Sequence, residues 1–133
     1  MTGEAPDDGA ALLAAFEEGR LDPAGFSHAD HVRVAFELLK QESFLGAARR
    51  YEAGLRALTV RAGVPEKFNL TITLAFLALI AEHLAEDPGI DWATFVAAHP
   101  ALFDRALLKR WYASERLGDP RARDHLLMPH PAI

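Results

Sequence analysis

Leu70-Thr71-Ile72-Thr73-Leu74-Ala75-Phe76-Leu77-Ala78-Leu79-Ile80-Ala81 is the stretch that decides the fold. Its apolar residues occupy every side of a helical wheel, and a helix hydrophobic all round needs other elements around it. The pattern predicts a helix over about 66–86, ended by Asp87-Pro88-Gly89, at the centre of an all-α bundle. The apolar run is much too short to span a bilayer, so no membrane role is expected.

Outward from this rod, helical periodicity continues and no stretch alternates with period two. Leu12, Leu13 and Phe16 are helically spaced between Gly9 and Glu18, with Gly19 placed to stop that helix. Leu21-Asp22-Pro23-Ala24-Gly25 reads as a turn. Ser27 opens a helix to about Gln41, and Ser43 opens another to about Ala62, with Gly63 and Pro65 as its stop. Asp91 opens a short helix through Trp92, Phe95 and Val96. His99-Pro100 opens one through Leu102, Phe103, Leu107, Leu108 and Trp111. Asp119-Pro120 begins a final turn or two ending near Met128. The expected architecture is a single domain over 9–128, a compact bundle of about six or seven helices around one buried helix. A flexible segment over 1–8 and an extended tail over 129–133 flank it.

Bulk properties narrow the function classes. With 133 residues, half of them hydrophobic, the chain can bury a core without cross-links. A formal net charge of -5 argues against general nucleic-acid binding, which needs a basic surface. Basic residues between Arg49 and Arg61 are spread around a helix and interrupted by Glu52, as on a solvated face. With no cysteine, disulfides, thiolate metal sites and thiol catalysis are excluded. The acidic start, Met1 to Asp8, lacks the order of a secretion signal, and a cytoplasmic address is expected. The bias towards Ala, Leu and Arg suggests a bacterial source. No glycine-rich phosphate loop or nucleophile elbow occurs.

Chemistry concentrates in Phe26-Ser27-His28-Ala29-Asp30-His31-Val32. Ser27 followed by Asp30 has the form of a reciprocal N-terminal cap. His28 and His31, three apart, share a helix face that continues into Ala35, Leu38 and Leu39, whereas Arg33, Glu37 and Lys40 fall opposite. The rings therefore continue the buried stripe, and a buried polar ring requires a partner. Near a helix N-terminus the dipole favours the neutral imidazole, which suits coordination, base chemistry or a core hydrogen bond alike.

Asn69 and Thr73, four apart at the front of the central helix, share a face and are candidates to line a pocket beside the histidines. Thr hydroxyls bonded one turn back are the structural alternative. In Trp111-Tyr112-Ala113-Ser114-Glu115-Arg116-Leu117, Arg116 is a candidate anion anchor, and an internal Glu115–Arg116 ion pair is the alternative. Glu82 and His83 read as structural.

The order Phe26-Ser27-His28-Ala29-Asp30-His31, Lys67-Phe68-Asn69-Leu70-Thr71-Ile72-Thr73, His99-Pro100-Ala101-Leu102-Phe103-Asp104 and Trp111-Tyr112 with Glu115-Arg116-Leu117 resembles a family of small bacterial all-helical proteins without an established activity. The likeness spans about 25–129. That pattern has a paired-histidine helix, a central helix opening Tyr-His-x-Thr-x-Thr, and a late Tyr-Ser-x-x-x-Leu segment. His28, His31, Thr71 and Thr73 match it, while Asn69 replaces a third histidine and Ala113 a serine. A metal site built on three histidines would lack one ligand here.

Three functions compete on these residues. The first is a polar small-molecule pocket, enzymatic or not, with His28 and His31 as bases or ligands and Asn69, Thr73 and Arg116 as binding groups. The second has a transition metal on His28 and His31. The third is an interaction module or homodimer using Trp92, Phe95, Phe103, Trp111 and Tyr112.

Overall fold

Capping chemistry sets where the helices begin. The computed structural model describes residues 8–130, so the expectations for residues 1–7 and 131–133 lie outside the described residues. Helix α1 spans Asp8–Glu17 and α2 spans His28–Gln41. Before α2, the Ser27 hydroxyl accepts from the Asp30 N–H at 3.1 Å, and the Asp30 carboxylate accepts from the Ser27 N–H at 3.0 Å. This reciprocal cap satisfies two donors that a helix start leaves open, a device worth about 1 kcal/mol. Ser43 caps α3 (Phe44–Arg61), Asn69 caps α4 (Leu70–Glu86), and Asp91 caps α5 (Trp92–Ala98). Gly19 and Gly63 follow α1 and α3 in the left-handed region, with φ of 71° and 76°, where a side chain would strain the backbone.

Two expected helices are drawn differently. The central one starts at Leu70 rather than near Glu66, because Pro65–Lys67 forms its own 3-10 turn and Phe68 and Asn69 are extended. The single helix expected from His99 to Trp111 is instead two 3-10 turns, Pro100–Phe103 and Leu107–Arg110. The break falls at Asp104, whose carboxylate accepts from the Ala106 N–H at 2.9 Å, a local bond that competes with helix continuation. One helical turn, α6 (Ser114–Leu117), and a 3-10 turn over Pro120–Arg123 complete the elements, and residues 126–130 have no regular structure.

Helices α2, α3 and α4 pack on one another, α1 lies on α2 and α3, and the C-terminal turns close over α4. The fold is all-helical, and no strand occurs among the described residues. Leu38, Leu77, Ile80 and Phe95 are fully enclosed, each contributing about 1.5–3 kcal/mol by removal from water. Enclosure of α4 is incomplete, since Leu74 and Leu79 are only partly buried. Two long-range ties lock the ends. Lys40 Nζ donates to the Pro88 and Ile90 carbonyls at 2.7 and 2.6 Å, fastening the α4–α5 link to α2. The buried Thr71 hydroxyl donates to the His125 carbonyl at 2.6 Å and accepts from the Leu127 N–H at 3.0 Å, holding the C-terminal segment on α4. Among the described residues no helix is long and apolar enough to cross a membrane.

Candidate functional site

The paired histidines open onto a cavity of about 410 Å³ between the start of α2, the inner face of α3 and the start of α4. His28, His31, Asn69 and Thr73 all line it. Its apolar walls come from Phe26 and Val32 on one side, Tyr51 and Leu55 on α3, and Phe68, Ile72, Phe76 and Ile80 around α4. The volume lies within the usual small-molecule range of roughly 300–1,000 Å³.

Each imidazole is held by a backbone carbonyl. His28 Nε2 lies 2.9 Å from the Leu102 carbonyl, and His31 Nδ1 lies 3.0 Å from the Ser27 carbonyl. A carbonyl only accepts, so these contacts assign the proton to Nε2 of His28 and to Nδ1 of His31. In the neutral form the two rings are opposite tautomers, with lone pairs on Nδ1 of His28 and Nε2 of His31. Their centroids are 6.3 Å apart. Phe26 packs on His31 at 4.5 Å, and Phe76 meets His28 edge-on at 5.1 Å. Burial holds the His31 pKa below its ordinary value of 6.5, helped by the nearby charges of His28 and Arg105 and opposed by the Ser27 carbonyl and Asp30. Neutral His31 is therefore the resting form at pH 7. Below it, the buried Tyr51 hydroxyl donates to the His31 carbonyl at 3.2 Å, and burial keeps that phenol protonated far above neutral pH.

Asn69 and Thr73 line the cavity while serving the backbone. The Asn69 side-chain oxygen accepts from the Ile72 N–H and its amide nitrogen donates to the Leu117 carbonyl, both at 2.9 Å. Thr73 donates to the Asn69 carbonyl at 2.8 Å. One amide hydrogen of Asn69 and the lone pairs of Thr73 Oγ1 are outside these bonds. Arg116 is not among the lining residues. Its Nε donates to the Met128 carbonyl at 2.8 Å, which secures the C-terminal segment, and no Glu115–Arg116 ion pair forms.

The cations that line the cavity are Lys67 and Arg105, neither of which sequence reasoning selected. Lys67 had a weak signal, two residues before the cap of α4. Arg105 had none, lying where one expected helix divides into two 3-10 turns.

Among the described residues no three His, Asp or Glu side chains group as metal ligands, so His28 and His31 have no third protein ligand beside them. Elsewhere, His83 stacks on His99 at 4.0 Å, against Phe95. Of the aromatic residues expected at an interaction surface, Phe95 and Tyr112 are buried, Trp92 and Phe103 are partly buried, and Trp111 alone is exposed.

The chain is matched by no family model, no curated protein and no solved structure. The family likeness noted above is carried by its quoted residues alone.

Proposed function

We propose that this chain is a small-molecule-binding helical domain whose site is the cavity between the starts of α2 and α4. One observation carries this reading: two imidazoles, an amide and a hydroxyl from separate elements line a single cavity of about 410 Å³ with mostly apolar walls. Mostly apolar lining with a few convergent polar groups is the usual composition of a ligand site. His31 Nε2, a neutral acceptor at pH 7, would receive a hydrogen bond or a proton from the occupant, and His28 Nδ1 carries the corresponding lone pair on the neighbouring ring.

The test is a fragment screen of mixed charge, read by amide chemical shifts of the labelled protein. Hits should cluster at residues 26–32 and 68–76, and His31→Gln should remove them while leaving the remaining spectrum folded. Hits confined to other surfaces, or unchanged binding in the variant, would refute the proposal.

A further inference from the structure

The formal charge of the whole chain is -5, yet the charge facing this cavity has the opposite sign. Lys67 and Arg105 line it, and among the described residues no Asp or Glu does. Both cations are exposed, and neither forms an ion pair among the described residues. Of the neighbouring acids, Asp30 caps Ser27 and its charge reaches His31, while Asp104 holds the Ala106 N–H; neither is among the lining residues. Glu66 is exposed and lies outside the lining.

Two helix starts add to the same field. Ser27 and His28 begin α2, and Asn69 caps α4, so both positive dipole ends meet at the cavity. The buried lining is of another kind: Val32, Tyr51, Leu55, Phe68, Phe76 and Ile80. Cations exposed to solvent and an apolar buried wall describe an amphipathic site.

We infer that the cavity takes a small organic anion, a carboxylate or phosphate on an aromatic or short aliphatic body, with Lys67 and Arg105 meeting the head group and Phe76 and its neighbours the body. This rests on the ligand-binding reading above and supplies its chemical class. A neutral or cationic occupant would leave the two lining cations without a counter-charge in the site, and a bare inorganic anion would leave the apolar wall unused.

Isothermal titration at low salt, with amide shifts to locate binding, tests this with six probes. Phenylacetate, octanoate and phenyl phosphate are compared with phenylacetamide, octanamide and inorganic phosphate. The organic anions should bind at residues 26–32 and 67–76, about tenfold tighter than the amides, as expected for charge-assisted bonds. Lys67→Ala and Arg105→Ala should each weaken the anions about fivefold, the scale of a solvent-exposed charge pair, and leave the amides unchanged. Both side chains are exposed, so both variants should fold. Amides binding as tightly as the acids would overturn the anion inference and leave the pocket reading standing. Inorganic phosphate matching phenyl phosphate would overturn the amphipathic part. Failure of all six probes at these residues would overturn the inference, while the mixed-charge screen separately decides the pocket reading.

Discussion

His28 Nε2–H donates to the Leu102 carbonyl at 2.9 Å, across 74 residues of sequence. The bond fastens the start of α2 to the 3-10 turn at Pro100–Phe103, and Arg105 lies two residues beyond that turn. The ring therefore positions part of the site as well as lining it.

Replacing that donor tests the relationship. His28→Ala leaves the carbonyl of the buried Leu102 without its partner, a loss of about 1–3 kcal/mol. Urea titration should show this loss, and the His31 ring proton shifts should move as Arg105 is displaced. His28→Gln, which keeps an N–H donor, should recover part of both. Identical stability of wild type and His28→Ala would remove the tie from the account.

Gly54 lets α3 lie directly against the Phe16 ring of α1. A Cβ at this position would overlap the Phe16 ring, which also stacks on Phe26 at 5.7 Å. Gly→Ala within a helix ordinarily stabilises by about 0.5–1 kcal/mol. Here overpacking of about 1–3 kcal/mol should exceed that gain, so Gly54→Ala should lower the denaturation midpoint. A raised midpoint would show that α1 shifts freely on α3.

Thr71 is the latch for the C-terminal segment. Thr71→Val removes both the bond to the His125 carbonyl and the one from the Leu127 N–H. The expected result is faster hydrogen exchange at Leu127, with a global loss of about 1–2 kcal/mol. Unchanged exchange at Leu127 would mean that packing alone holds the segment.

The fold should weaken in mild acid because of His31 and His99. Burial lowers the pKa of both in the native state below the ordinary 6.5, with the charges of His28 and Arg105 acting on His31 and that of His83 on His99. The Ser27 carbonyl and Asp30 oppose the shift at His31, and Glu86 opposes it at His99. Below pH 6.5 the unfolded chain binds protons that the native state resists, so stability rises with pH through this window. It is fully present above 6.5 and lost as pH falls through the native pKa values. Denaturant midpoints from pH 7.5 downward should show the decline, and His31→Gln with His99→Gln should flatten it. A decline of equal slope in the double variant would assign it to other groups.

Much of this was legible in the residues. The all-round apolar stretch from Leu70 to Ala81 implies an enclosed helix, and the Ser27–Asp30 pairing, the Ser43 and Asp91 caps and the glycine stops at 19 and 63 are local chemistry. Such features depend on neighbours within a few positions, so sequence carries them directly. The shared face of His28 and His31 and the polar pair Asn69 and Thr73 belong to the same category.

Tertiary structure alone decided which cations attend that group. Arg116 is adjacent in sequence to an aromatic pair and looked suitable, yet the returning C-terminal segment takes its guanidinium through the Met128 carbonyl. Arg105 lines the cavity instead, one residue after Asp104, whose bond to the Ala106 N–H falls where the expected helix divides into two turns. Periodicity describes what a helix would bury. It does not reveal where a chain will use its side-chain bonds on itself, as Arg116 does on Met128 and Asp104 on Ala106.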